Sequence, residues 1–328
     1  MSERSVLTIG TFDGVHLGHA ELLRAARRIA DERAARVVAL VFDPSPAEAL
    51  RPGAAPPRLT TLAQRRRAMS ALGVDEVVPL DPGPRVLTTP AEGFIAELVA
   101  RYAPLAMVEG PDFRFGLRRA GDVALLRALG AAHGFAVRVP EQREAGLLDG
   151  TVVPARSSVA RWLISHGRVG DAALVLGRAH ELEGVVAPGQ RLGRALGVPT
   201  ANLATPCMSP GDGVYAGTAH LPPIEPGGPE RAVPAAVNVG ARPTVGGAAR
   251  TIEAHLMMEP PGAAGSAQGP GRAWSPLPGL PEYGWPLRLE LLSRLRDQVR
   301  FDGLGALRAQ IARDLRQAWQ IAAEPARA

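Results

Sequence analysis

The chain contains no lysine: all 37 of its Lys+Arg positions are arginine. That absence removes whole classes of chemistry. A P-loop needs a lysine to reach the nucleotide phosphates. Schiff-base catalysis needs an amine, and eukaryotic-type protein kinases need their strand lysine. Cysteine is almost as scarce. Cys207 is the single one, so neither an intrachain disulfide nor a cysteine zinc site can form. Aromatic residues make up 4% of the chain, too few for the stacking platforms of single-stranded nucleic-acid binders. No uncharged apolar run reaches the roughly 18 residues of a membrane span. The first residues lead almost directly into a strand, without the pattern of a signal peptide. These features predict a cytoplasmic protein with no membrane partner.

What is present fits two folded bodies. A length of 328 residues suggests two domains, and 46% hydrophobic residues are ample for their cores. The net charge is +5. The arginines are dispersed and accompany many Ala, Gly and Pro residues, which reads as a compositional bias and not as a basic patch; no nucleic-acid partner is expected.

Residues 5–140 alternate apolar runs with segments of helical period. Strands are predicted at 6–10, 36–42, 76–80, 105–109 and 136–139. Helices are predicted at 16–34, 61–72, 91–102 and 122–133. This β-α alternation implies a mostly parallel sheet covered by helices. Two short helices follow near 157–166 and 171–176. After Gly177 the texture changes to short β runs separated by turn residues, at 182–187, 213–221, 231–239, 251–257 and 287–292. They predict a small antiparallel barrel, followed by a helix over 303–320. The fold class is therefore α/β with a parallel sheet, then a β-barrel and a terminal helix. The domains are expected at 1–177 and 178–328. A Pro/Gly/Ala-rich insertion at 258–281, with Trp274 its one bulky aromatic, reads as a surface loop.

The segment "TIGTFDGVHLGH" runs from a strand through a glycine-rich turn into a helix. Free N–H groups and the dipole at a helix start favour an anion. Gly10, Gly14 and Gly18 allow close backbone approach. His16 and His19 share one face of the first turn and can place two imidazole donors over a phosphate, without lysine. The bland alternative is a tight turn capped by Asp13 with two exposed histidines.

"GTFDGVHLGH" resembles the H-x-G-H nucleotidyltransferase superfamily. "VFDPSP" (41–46), "GPDFRFG" (110–116) and "ARSSVAR" (155–161) resemble the N-terminal half of the bacterial bifunctional riboflavin kinase/FAD synthetase family. In the second half, "GRALGVPTANL" (193–203), "GVYAG" (213–217), "AAVNVGARPT" (235–244), "TIEAHL" (251–256) and "RLRDQVRFDGL" (294–304) follow in that family's order. The resemblance implies a Rossmann-like adenylyltransferase domain followed by a riboflavin kinase barrel. It assigns ATP in the first domain to Gly10, Phe12, Asp13, Gly14, Asp112, Ser157, Ser158 and Arg161, with His16 and His19 catalytic. In the second it assigns ATP to Gly193, Gly197, Pro199, Thr200 and Asn202, flavin to Arg296 and Asp297, and the general base to Glu253. Riboflavin, FMN and ATP are the implied ligands, with Mg²⁺ as the metal.

Thr200 and Asn202 offer neutral oxygen ligands suited to Mg²⁺ shared with phosphates. Strand alternation puts both on one face, expected to point inward. On spacing alone Glu253 reads equally as a solvated strand face. The chain departs from the family pattern at Ser45, where histidine is frequent, at Arg156 in place of a serine, and at Gln298 in place of the glutamate of "R-D-E". Three activities stay open at this point. One is a bifunctional enzyme making FMN and then FAD. Another is an adenylyltransferase with a decayed kinase half. The last is a non-catalytic flavin or nucleotide sensor.

Overall fold

The computed structural model describes residues 4–189, 193, 196–223, 225, 227–244, 247–261 and 280–323. The expected insertion therefore lies mostly outside the described residues, Trp274 included. The chain forms two compact units, Met1–Gly146 with Thr151–Ser157, and Leu147–Gly150 with Ser158–Ala328.

The first unit is built on five parallel strands: β1 (Ser5–Gly10), β2 (Arg36–Phe42), β3 (Glu76–Leu80), β4 (Pro104–Val108) and β5 (Ala136–Arg138), in the order β3-β2-β1-β4-β5. The strands are apolar on both faces because both are covered. Val6, Val37, Ala39, Val41, Ala106 and Val108 pack against α1 (Leu17–Arg33) and α3 (Leu62–Ser70). Leu7, Ile9, Val38, Leu40 and Met107 pack against α5 (Ala91–Tyr102) and α6 (Val123–His133). Two short helices, α2 (Pro46–Leu50) and α4 (Pro84–Thr88), start on proline, whose missing N–H is not needed there. Thr61 and Gln64 form a capping box for α3, and Asp122 caps α6. The strand order reverses between β1 and β4. In open α/β sheets, ligands bind beyond the carboxyl ends of strands at such a switch point.

A hairpin of β6 (Glu144–Gly146) and β7 (Val152–Pro154) precedes α7 (Ser157–Ser165) and α8 (Val169–Leu176). Six strands then close an antiparallel barrel: β8 (His180–Ala187), β9 (Ala201–Ala204), β10 (Gly213–Leu221), β11 (Arg231–Thr244), β12 (Gly247–Leu256) and β13 (Pro286–Arg296). Their order around the barrel is β10-β11-β12-β9-β8-β13. Val237, Val239, Ile252, Ala254, Leu287, Leu289 and Leu291 alternate inward and fill it with Tyr215 and Trp285. The terminal helix, α9 (Leu304–Ala323), covers Ala216 and Met257 through Ala318. Arg296 anchors it with bonds of 3.0 and 2.7 Å to Asp314.

Candidate active sites

In the first unit, β1 ends at Gly10 and the chain turns sharply. Phe12 (φ 50°), Gly14 (φ 85°) and Val15 (φ 40°) all adopt left-handed backbone. Two of the three carry side chains, and such residues persist only where surroundings hold them. Here the surroundings are explicit. Phe12 and Val15 are buried in the core. The Asp13 carboxylate accepts from Leu59 N (2.9 Å), Thr60 N (2.9 Å) and Thr60 Oγ1 (2.9 Å). Gly14 N donates to Thr60 Oγ1 at 2.9 Å. Ser157 Oγ, at the start of α7, donates to Asp13 O at 2.8 Å. Asp13 thus holds the turn in shape.

His16 is the N-cap of α1 and His19 its third residue. The three-residue spacing is the spacing of a capping bond: His16 Nδ1 accepts the His19 backbone N–H at 3.4 Å. Nδ1 is then the acceptor nitrogen, and in neutral His16 the proton resides on Nε2. The two rings stack with centroids 3.6 Å apart, and Phe12 flanks His19 at 5.0 Å. A Cβ on Gly18 would lie 2.9 Å from Ala155 O and 3.2 Å from the His16 ring. Glycine is what lets the capping imidazole fit under residue 155.

Across the switch point, Glu109 follows β4. It is 1% exposed, and its Oε1 accepts Ile9 N–H at 2.8 Å. Burial pushes its carboxyl well above the usual range, against the smaller opposite effect of the Ile9 bond. Asp112 follows in an exposed turn. Ser158 and Arg161 lie on the first turns of α7, the helix that Ser157 opens. On the other side, buried Arg65 donates to Thr11 O (2.7 Å), Phe42 O (3.0 Å) and Asp43 Oδ1 (2.6 Å), tying the ends of β1 and β2 to α3. Arg65 and Glu109 escaped sequence reasoning. Arg65 stands in a polar "QRRR" run, and Glu109 ends a predicted strand without any motif.

In the second unit, Gly193 O collects the N–H groups of Leu196 (3.1 Å) and Val198 (2.8 Å), and Gly197 (φ 78°) closes the turn. Pro199 and Thr200 lead into β9. Glu253 on β12 is the register partner of Asn202 on β9 and of Asn238 on β11. These three polar side chains form a row across adjacent strands. Ala201, Leu203, Val237, Val239, Ile252 and Ala254 belong to the barrel core. The inward orientation expected for Thr200 and Asn202 is therefore corrected for Asn202: alternation puts it, with Asn238 and Glu253, on the outer wall. His255 Nδ1 bonds Pro199 O at 2.8 Å, and burial holds its pKa below the ordinary imidazole value.

The two flavin candidates have partners of their own. Arg296 is engaged by Asp314 and lies 5.5 Å from the Phe301 ring; exposed Asp297 pairs with Arg294 at 2.6 Å. Gln298 is the residue of that segment that reaches the polar row, 3.0 Å from Asn238 Oδ1.

The FAD synthetase family model matches residues 1–148, the unit with the stacked histidines, and the riboflavin kinase model matches residues 176–322. The Escherichia coli K12 bifunctional riboflavin kinase/FMN adenylyltransferase is 33% identical over 315 residues, covering 95% of this chain and 91% of its own. The chain belongs to this bifunctional family. A Pseudomonas fluorescens riboflavin kinase/FMN adenylyltransferase is 32% identical over 98% of the chain and 94% of its own length. A crystal structure described as a macrolide-efflux protein from Streptococcus pneumoniae shares the fold, with a TM-score of 0.79 and 26% identity over 98% of this chain and 95% of that one. Both halves of a riboflavin kinase/FMN adenylyltransferase are therefore present, and the activities are ATP-dependent phosphorylation of riboflavin and adenylylation of FMN. Among the described residues, no helix is long and apolar enough to cross a membrane.

Proposed function

We propose that the two activities divide between the halves, 1–177 making FAD and 178–328 making FMN, and that named side chains carry each. In the first half, ATP lies beyond Gly10 with its α-phosphate against the start of α1. His16 Nε2–H and the His19 imidazole donate to α-phosphate oxygens as the FMN phosphate attacks, and pyrophosphate leaves. Ser157, Ser158 and Arg161 receive the outgoing phosphates, Asp112 faces the nucleotide from the β4 side, and Asp13 works by holding the turn. The stacked pair at the cap of α1 is the observation that carries this reading. Donors fixed before the reaction need no reorganisation as charge develops.

In the barrel, Glu253 takes the proton of the ribityl hydroxyl as the hydroxyl oxygen attacks the γ-phosphate of ATP, and ADP leaves. Its register with Asn202 supports this role. The donor set fits Mg²⁺. Thr200 and Asn202 supply neutral oxygens, and a Cβ on Gly193 would lie 3.3 Å from Thr200 Oγ1. On Gly189 it would collide with the Asn202 amide, so bare backbone lines the ligands. Thr200 and Asn202 would hold the ion together with phosphate oxygens of ATP, which suit the same hard cation. Bound there, Mg²⁺ neutralises developing phosphate charge. Gly193, Gly197 and Pro199 shape this ATP-binding turn, and Arg296 and Asp297 border the flavin. Riboflavin, FMN and ATP are the partners, and the cytoplasm is the proposed compartment.

Riboflavin, ATP and Mg²⁺ are incubated with the protein and the flavins separated by chromatography. FMN followed by FAD supports the full reading. FAD from supplied FMN only would leave the barrel without kinase activity.

A further inference from the structure

The loop that leaves β4 breaks a local rule. Phe115 N–H donates to Gly121 O at 3.1 Å and Gly121 N–H to Phe115 O at 2.9 Å, so residues 116–120 turn the chain back on itself. Ala120 N–H closes the tip on Leu117 O at 3.1 Å, with Arg118 (φ 53°) and Arg119 (φ 60°) as the two central residues. Left-handed backbone at both central positions calls for Asn-Gly or Gly-Gly. In that conformation a Cβ crowds the following carbonyl, and here two residues in succession bear the cost. The tip is also locked in place. Leu117 N–H bonds Thr89 O at 2.7 Å. A Cβ on Gly116 would lie 2.5 Å from Ala91 Cα, and one on Gly121 would lie 2.7 Å from the Phe115 ring. Arg114 closes the base through Asp122 at 3.1 Å.

No contact among the described residues offsets this strain through the two side chains. Arg118 and Arg119 are exposed and form no hydrogen bond or ion pair there. Asp122, the acid that follows the tip, is engaged in capping α6 and in holding Arg114. Two adjacent guanidiniums are thus carried on a fixed tip of the loop beyond the carboxyl end of β4, one of the two strands that flank the switch point. Strain held by its surroundings at such a place points to function. A guanidinium presents a fork of N–H donors that matches phosphate oxygens. In a chain without lysine, arginine is the side chain that supplies a permanent cation.

We propose that Arg118 and Arg119 form a phosphate clamp of the first unit, gripping phosphoryl oxygens of a substrate of FAD synthesis. This rests on that unit being the adenylyltransferase. The triphosphate of ATP and the single phosphate of FMN offer the same anionic oxygens, and either can fill the clamp. The clamp holds substrate equally before and during the reaction, so its loss is felt in KM and hardly in kcat.

The test is the double variant Arg118→Gly/Arg119→Gly, which suits the left-handed backbone and removes both charges. KM in FAD synthesis is measured against ATP at saturating FMN and against FMN at saturating ATP. At least one should rise about tenfold to a hundredfold, and which one rises names the source of the phosphate. The kcat and riboflavin phosphorylation should stay parental, and the melting temperature should hold or rise. Arg118→Lys/Arg119→Lys keeps the charge and should recover part of the affinity. If the glycine variant loses its cooperative thermal transition, Arg118→Asn/Arg119→Asn serves instead, since asparagine also tolerates this backbone. Parental KM for both substrates overturns the proposal, as does an equal loss of riboflavin phosphorylation. His19→Ala is assayed alongside. If it makes FAD at the parental rate, the reading of the first site fails; if it is disabled while the glycine variant keeps both KM values, only the clamp fails.

Discussion

His255 Nδ1 lies 2.8 Å from Pro199 O, so the strand that carries Glu253 also fixes the turn that leads through Thr200 into β9 and Asn202. Burial holds the His255 pKa down, and the bond to Pro199 O opposes this only in part. The folded protein then binds a proton less readily than the unfolded chain. Its contribution to stability is complete above the unfolded value of about 6.5 and is lost as pH falls from there toward the folded value. His255→Asn keeps a donor near the Nδ1 position without titrating. Thermal melts of the two proteins should diverge below about pH 6.5, the parent falling faster. His255→Ala leaves Pro199 O unpaired and should raise the KM for ATP in riboflavin phosphorylation several-fold to tenfold, with FMN adenylylation unchanged.

Glu253→Gln keeps side-chain size and removes proton acceptance. Riboflavin phosphorylation should fall by about 10²–10⁴. Adenylylation of supplied FMN should persist, and the melting temperature should hardly move. Parental phosphorylation would return Glu253 to a solvated position on the barrel wall.

His19→Ala should do the reverse. Removing one preorganised donor costs about 10²–10³ in rate, so FAD synthesis from FMN should drop by that order while riboflavin phosphorylation continues. Equal loss of both activities, read in one chromatogram, would contradict the division between the halves.

Much of this was legible in the sequence where the signal was periodic. Parallel strands buried on both faces read as continuous apolar runs, and β2 and β3 fall where predicted. The helix 91–102 and the strand 213–221 also match. β6, β7 and β9, of three or four residues, are too short to show a period, whereas the equally short β5 was marked by its place in the β-α alternation. The H-x-G-H motif marked the first candidate site, but not why its spacing is three; the capping bond that the His19 backbone N–H donates to His16 Nδ1 explains it. Arg65, Glu109 and His255 were invisible because their roles depend on burial and on partners up to 100 residues away. The outward face of Asn202 was equally hidden, since alternation gives a shared face but not its direction.

Arg65→Met should destabilise the first unit by about 3 kcal/mol or more, because Thr11 O, Phe42 O and Asp43 lose a buried partner. Denaturant unfolding should show an earlier transition, with FAD formation lost before FMN formation.

Glu109→Gln should stabilise the protein at neutral pH. The folded carboxyl is raised above its unfolded value of about 4.3. Stability is therefore full below that value and declines as pH rises toward the folded one, because the unfolded chain gives up its proton first. The amide still accepts the Ile9 N–H and carries no charge. Denaturant midpoints should coincide near pH 4 and separate at pH 7–8, the variant being higher; coincidence throughout would mean that burial of Glu109 is relieved by water.

The two sheets also differ in what they expose to other molecules. Closure of the barrel gives each of its strands two neighbours and leaves little free strand margin among the described residues. The five-stranded sheet ends in β3 and β5, and each margin is blunted in its own way. Pro79 interrupts the donor row of β3, and Glu76, held to Arg36 at 2.7 Å, adds charge to it. β5 is only three residues long. Self-association through strand addition is thus guarded against in the first unit by composition, and in the barrel mainly by closure.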